Sequence, residues 1–102
     1  MIDTSALHSA GTGPPVPAES SVEVDRIRRR FTELSVRAAE EAAGLVRRLL
    51  DELAEQLAQP SVPDLGAAVI PDQLAVLVFD IYAAGGGSDL TERLTALRRS
   101  LP

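Results

Sequence analysis

Residues Ser21–Gln59, SVEVDRIRRRFTELSVRAAEEAAGLVRRLLDELAEQLAQ, decide how this chain folds. The stretch consists almost entirely of good helix formers, and Pro60, which a helix does not tolerate in its interior, follows it directly. Its apolar residues recur every three or four positions, which is the spacing of one face of an α-helix. The sequence therefore predicts one long amphipathic helix over 21–59, more than about 50 Å in length at ~1.5 Å per residue.

A capping box predicts where this helix begins. Ser20 is followed three residues later by Glu23, and in such a pair each side chain takes up a backbone N–H that the first helical turn leaves unpaired. We therefore expect the ordered domain to start at Ser20 and to cover residues 20–102. Residues 1–19, which are rich in Gly, Pro, Ser and Thr and show no apolar periodicity, are predicted to form a disordered tail.

The apolar face of the predicted helix changes width along its length. In the first half the apolar residues form a narrow heptad seam, which suits a single partner helix. Continuing that seam would place Glu41 and Arg48 in it, so the register slips by one residue and resumes at Ala42. From Leu45 to Leu57 the face widens to roughly 140°, which suits two partner helices. We expect the second half to hold the core of this chain and the first half to face another chain.

Two shorter helices are predicted over 71–84 and 89–101. Pro71 and Asp72 open the first favourably, and glycines 85–87 end it. The β-branched content of 74–82 also fits a buried strand, but the chain offers no second strand to pair with it. The fold class is therefore predicted to be all-α, with one long amphipathic helix and two shorter helices in a small bundle.

Asp80 is the one charge within the apolar part of the 71–84 helix. It is expected to lie at the solvent edge, because it shares a stripe with Asp72, Gln73 and Val76. The alternative is a buried ion pair, since a buried carboxylate needs a cationic or hydrogen-bonding partner. The candidate partners in that case are Arg47, Arg48 and Arg93.

The composition argues against several classes of function. The net charge is −5, which disfavours non-specific binding to nucleic acid. There is no cysteine, and the only histidine is His8 in the predicted tail. No catalytic, metal-binding or nucleotide-binding motif is present, so we expect no enzyme activity, no metal and no cofactor.

The location of the protein is expected to be the cytoplasm. No apolar run approaches the ~20 residues of a membrane-spanning helix. The N-terminal residues also lack the basic and apolar regions of a signal peptide.

The Arg26–Arg30 segment contains four arginines and is the candidate for nucleic-acid contact. A small DNA-binding regulator or antitoxin that uses this segment is the alternative hypothesis for the function. Acidic side chains at Glu23, Asp25 and Glu33 alternate with the arginines, which is typical of a solvated helix surface.

The leading hypothesis is a non-catalytic helical protein-interaction module, such as a small accessory subunit, adaptor or assembly factor. Arg28, Arg30 and Arg37 flank the narrow seam, and flanking charges select partners. We expect either a partner with acidic residues beside an apolar stripe or a homo-oligomer. The predicted partner-binding residues are Val24, Ile27, Arg28, Arg30, Phe31, Leu34, Arg37 and Ala38.

Overall fold

The computed structural model describes residues 15–102, which form four α-helices and one short 3₁₀ turn. The helices are α1 (Ala18–Glu33), α2 (Val36–Gln56), α3 (Ile70–Ala83) and α4 (Leu90–Ser100), and the 3₁₀ turn is Ala67–Val69. Residues 15–102 contain no strand, so the all-α prediction is confirmed and 74–82 is helical. The two shorter helices lie within about one residue of their predicted positions.

The predicted long helix is divided into two at Leu34 and Ser35. Both residues are extended, with φ −88° and ψ 148° at Leu34 and φ −63° and ψ 165° at Ser35, so helical hydrogen bonding stops there. The Ser35 hydroxyl then accepts a hydrogen bond from the Ala38 N–H at 3.1 Å and caps the start of α2. The slip in the apolar register has the same cause, because α1 and α2 are separate helices with separately placed apolar faces.

The predicted capping box does not form, because Ser20 and Glu23 lie inside α1 rather than at its start. Helix α1 begins three residues earlier than expected, at Ala18, with Pro17 as the preceding residue. Ala18 and Glu19 thus belong to the helical domain. The part of the predicted tail that covers 1–14 lies outside the described residues.

Helix α1 runs antiparallel to α3. Near the start of α1, the Ser20 hydroxyl is 2.8 Å from the Tyr82 hydroxyl at the end of α3. Near the end of α1, the Arg28 guanidinium donates a hydrogen bond to the Asp72 carboxylate at the start of α3, at 2.5 Å. Contacts at both ends align the two helices along most of their lengths.

Helix α1 also packs on α4, to which it is parallel. Ser20 bonds to Thr91 at the start of α4, and Arg30 Nε donates a hydrogen bond to the Pro102 carbonyl oxygen just beyond its end, at 2.8 Å. The first half of the predicted long helix therefore has two intrachain neighbours, α3 and α4. The expectation that this half lacks a partner within the chain does not hold.

Helix α2 contributes the largest share of the core. It lies against α3 and the 3₁₀ turn, and its wide apolar face is buried, as the sequence predicts for this half. Ile27 of α1 and Leu94 of α4 join the same cluster and are both fully buried. The buried residues of α2 are Ala42, Ala43, Val46, Leu49, Leu50, Leu53 and Ala54.

The segment between α2 and α3 is held against both helices. The Asp64 carboxylate accepts hydrogen bonds from the Gly66 N–H at 3.0 Å and from Arg47 of α2 at 2.5 Å. The Gln73 side chain of α3 donates a hydrogen bond to the Pro63 carbonyl oxygen at 3.0 Å. These contacts place the 3₁₀ turn and the start of α3 beside the core.

Candidate functional site

The apolar residues predicted to bind a partner lie partly in the core of this chain. Ile27 is fully buried, so it cannot touch another molecule while the fold is intact, and Val24, at 7% exposed, offers only a small edge at the surface. Phe31, Leu34 and Ala38 are half-buried around the junction of α1 and α2. The predicted narrow seam is therefore the inward face of α1.

The arginines predicted to flank the seam are not gathered around an open groove. Arg28 pairs with Asp72 of α3, and Arg30 pairs with Glu33 one turn further along α1, at 3.3 Å. Arg37 is exposed in the first turn of α2, beyond the break. The structure thus separates Arg37 from the other two and pairs both of those within the chain.

Three hydroxyl groups meet where α1, α3 and α4 come together. The Ser20 hydroxyl, which is fully buried, lies 2.8 Å from that of Tyr82 and 2.6 Å from that of Thr91. A nucleophilic serine needs a base within hydrogen-bonding distance, and both of these partners are hydroxyls. The cluster satisfies a buried polar side chain and links three helices, which is a structural role.

The second interhelical polar contact joins Glu23 of α1 to Arg98 of α4. Arg98 Nε donates a hydrogen bond to Glu23 Oε1 at 2.5 Å, and Arg26 Nη1 donates one to Oε2 at 3.2 Å. The hydrogen bond from Arg98 lowers the pKa of Glu23, with help from Thr95 and from both positive charges, although burial opposes the shift. A carboxylate held ionised in this way is suited to fixing helices rather than to donating a proton.

The outward face of α3 is apolar. One stripe along this helix, spaced by four, three and four residues, consists of Asp72, Val76, Phe79 and Ala83. Val76 is 58% exposed and Phe79 is 49% exposed, although α3 buries its opposite face in the core. We call these four residues the α3 stripe.

The other described helices present mainly charged side chains to solvent. The exposed surface of α1 alternates acids and arginines around a single large apolar residue, Val22, and α4 exposes Glu92 and Arg99. Helix α2 is the most polar of the four on its outer side. Its exposed charged residues are Arg37, Glu40, Glu41, Arg48, Asp51, Glu52 and Glu55.

A groove lies on each side of the α3 stripe. The groove between α1 and α3 has a volume of about 290 Å³, and its apolar lining includes Val24, Ala75 and Phe79. The groove on the other side has a volume of about 380 Å³ and is lined by residues that include Val62 and Val76. The two exposed apolar side chains of α3 thus form a ridge between two apolar depressions.

Carboxylates surround this ridge. Asp25 lines the groove between α1 and α3, and Asp72 lines the other groove at the start of α3. Asp80 follows Val76 by one helical turn and, although half-buried, is in part accessible to solvent, in keeping with the predicted solvent edge. It makes no ion pair with another described residue; Arg47 pairs with Asp64, and Arg93 pairs with Glu52.

Sequence reasoning placed Val76 at the solvent edge of this helix, but it treated that edge as polar and did not identify Val76 and Phe79 as an exposed apolar surface. Asp72, Gln73 and Asp80 supported that assignment, and all three are at least partly exposed. The available signal was that α3 is apolar nearly all around, with Val76 and Phe79 opposite its buried leucines. Large apolar side chains exposed next to each other on a helix whose opposite face is in the core are typical of a binding surface.

The described residues hold no group of three or more His, Cys, Asp or Glu side chains that could bind a metal ion. Of the helices in residues 15–102, none combines the length and apolar character that crossing a membrane requires. The chain matches no protein-family model, no curated protein and no solved structure.

Proposed function

We propose that this protein is a non-catalytic helical interaction module, such as an accessory subunit, adaptor or assembly factor, and that it binds a protein partner through the α3 stripe. The observation that supports this proposal is the exposure of Val76 and Phe79, at 58% and 49%, on one helical face. Contiguous exposed apolar side chains are a mark of binding surfaces, whereas single ones are ordinary.

Burial of the exposed apolar side chains would stabilise a complex formed at the α3 stripe. Complete burial of a large apolar side chain is favourable by about 1.5–3 kcal/mol relative to leaving it in water. Val76 and Phe79 each retain about half of that area for burial against another molecule. The adjoining grooves add apolar surface that a partner side chain can fill.

The proposed binding surface lies on α3, whereas the sequence predicts one on α1. Val24 and Ile27 are needed for the core, so the seam expected from the sequence is occupied within the chain. Phe31, Leu34 and Ala38 remain partly exposed around the junction of α1 and α2, away from the ridge. A cytoplasmic location remains part of the proposal and rests on the sequence alone.

The structure offers no observation that favours the DNA-binding alternative. Arg26, Arg28 and Arg30 each contact a carboxylate of the same chain. Contact with phosphates would require these ion pairs to open, against a net charge of −5 that repels nucleic acid.

An affinity purification from the source organism tests the proposed function. The full chain is compared with a double variant, Val76→Ser with Phe79→Ser, and with the control Val36→Ser, which alters an apolar residue that is 79% exposed on α2. Circular dichroism first establishes that all three proteins are equally helical.

We expect mass spectrometry to find the same partner with the wild type and with the control, and to find it depleted at least about tenfold with the double variant. Equal recovery with all three proteins would show that the α3 stripe is not the binding surface.

A further inference from the structure

We infer that the partner of the α3 stripe is an amphipathic helix of another protein that carries Lys or Arg beside its apolar residues. This inference rests on the proposed function and deepens it by naming the chemistry of the partner. It is carried by the charges around the ridge and by the shape of the groove between α1 and α3.

The rim of the ridge has an excess of negative charge. Asp25 and Asp80 lie on opposite sides of it, and neither makes an ion pair with any residue between 15 and 102. Asp72 is neutralised by Arg28, the one arginine on the rim. A partner therefore meets two carboxylates that form no ion pair among the described residues, next to exposed apolar side chains, and cationic residues complement them.

The same charges disfavour a second copy of this chain as the occupant. In a symmetric dimer each copy presents the same surface patch to the other, so the stripes would face each other. Asp25 and Asp80 of one copy would then approach the same carboxylates of the other copy, while Arg28 of each copy is already paired with Asp72. Like charges brought together at an interface are destabilising, which favours a different, basic chain.

The shape of the surface fits a helix. Helices α1 and α3 are antiparallel neighbours, and the groove between them is lined by residues of both, including Val24, Ala75 and Phe79. A helix laid in such a groove inserts apolar residues spaced by three and four positions. Its flanking residues then reach outward on both sides, toward Asp25 and Asp80.

Site-directed photo-crosslinking identifies the occupant. Phe79 of the full chain is replaced by the photoreactive residue p-benzoylphenylalanine, which keeps an aromatic ring at this position. The protein is irradiated in cells of the source organism, and the crosslinked peptides are sequenced by mass spectrometry. We expect a segment of another protein with apolar residues at helical spacing and with Lys or Arg beside them.

The other outcomes separate the inference from the proposed function. A crosslink from Phe79 to the same chain would mean self-association and would overturn the inference, as would a crosslink to an acidic segment. Either result would leave the α3 stripe as a binding surface. The absence of any crosslink to protein would overturn the proposed function itself.

A binding titration then tests the role of charge. A synthetic peptide with the sequence of the crosslinked segment is titrated against the wild type, against a double variant with Asp25→Lys and Asp80→Lys, and against Asp51→Lys. The last substitution reverses an exposed acid on α2, away from the ridge, and is the matched control.

We expect the double variant to bind the peptide about tenfold more weakly and Asp51→Lys to bind it as the wild type does. The difference should shrink as salt is added, because exposed charges are screened. Equal affinities for all three proteins would overturn the inference.

Discussion

Glu23 in the second turn of α1 accepts a hydrogen bond from Arg98 in the last turn of α4, with 2.5 Å between Oε1 and Nε. The two residues are 75 positions apart in the sequence, and the contact joins the first and last helices of residues 15–102. The Glu23 side chain is 9% exposed and that of Arg98 is 27% exposed, so water screens their interaction only in part. This contact helps to fix how α1 and α4 lie along each other.

The first prediction concerns the dependence of stability on pH. Because the pKa of Glu23 is lowered in the folded state, its ionised form stabilises the protein fully above its ordinary pKa of 4.5. That stabilisation is lost as the pH falls through the lower, folded-state value. Urea unfolding should show Glu23→Gln to be less stable than the wild type at pH 7, with a smaller difference at pH 3.

Glu55→Gln is the control for this titration, because it removes an exposed acid on the outer side of α2 that makes no ion pair with a described residue. Its difference from the wild type should be small at both pH values. If the two variants show the same dependence on pH, the contact with Arg98 does not stabilise the fold.

The second prediction compares two adjacent serines. Ser20→Ala removes a buried hydroxyl that bonds to Tyr82 and Thr91, so the free energy of unfolding should fall by about 1–2 kcal/mol. Ser21→Ala alters the exposed neighbour on the same helix and should change stability by less than about 0.5 kcal/mol. Urea unfolding followed by circular dichroism measures both, and equal effects would contradict the assigned role of Ser20.

The third prediction uses two glycines in opposite environments. Gly87 has φ +94°, and a Cβ atom there would lie 2.7 Å from Cδ1 of the Tyr82 ring. Gly87→Ala should therefore destabilise the fold by about 1–3 kcal/mol. Gly44 lies within α2 with open space around it, so Gly44→Ala should raise stability by up to about 1 kcal/mol. Thermal unfolding should show melting temperatures that move in opposite directions.

The fourth prediction tests the cap that begins α2. Ser35→Ala removes the acceptor for the Ala38 N–H and should lower the free energy of unfolding by about 1 kcal/mol. Ser35→Asp, which keeps a capping oxygen, should retain most of the stability of the wild type. Ser61→Ala, in the exposed segment after α2, is the control for removing a serine hydroxyl. Chemical denaturation that shows no loss in Ser35→Ala would mean that the break does not depend on this cap.

The sequence predicts α3 and α4 closely because strong local signals bound them. Pro71 lies in the first turn of α3, and Gly85 with φ +88° follows its end, a conformation that glycine adopts readily. Both signals depend on the backbone conformations that proline and glycine themselves allow. They therefore do not depend on how the other helices pack.

The break between α1 and α2 was harder to predict because its local signal is weak. Ser35 stands between Leu34 and Val36, and position 38 is Ala rather than the Glu or Gln of a capping box. The sequence indicates the break through the register slip at Ala42, but a continuous helix can also show such a slip. Both α1 and α2 pack on α3 as separate helices, an arrangement that the register slip alone does not distinguish from a continuous helix.

The roles of Ser20 and Glu23 could not be predicted, because their partners are distant in the sequence. Tyr82 and Thr91 are 62 and 71 residues from Ser20. The same Ser and Glu pattern fits a local cap equally well, and only the packing of α1 against α3 and α4 places other hydroxyls and Arg98 within reach. The α3 stripe was missed for a related reason, since its exposure depends on which side of α3 the other helices cover.

The two extended residues between α1 and α2 have a consequence for how the chain tolerates insertions and deletions. Adding one residue inside a continuous helix rotates everything after it by about 100°, which would turn a buried face toward solvent. At Leu34 and Ser35 the helical hydrogen bonds are already interrupted, so an added residue changes the length of a connection and leaves both apolar faces as they are. Insertions and deletions in related sequences should therefore concentrate at the junction between α1 and α2.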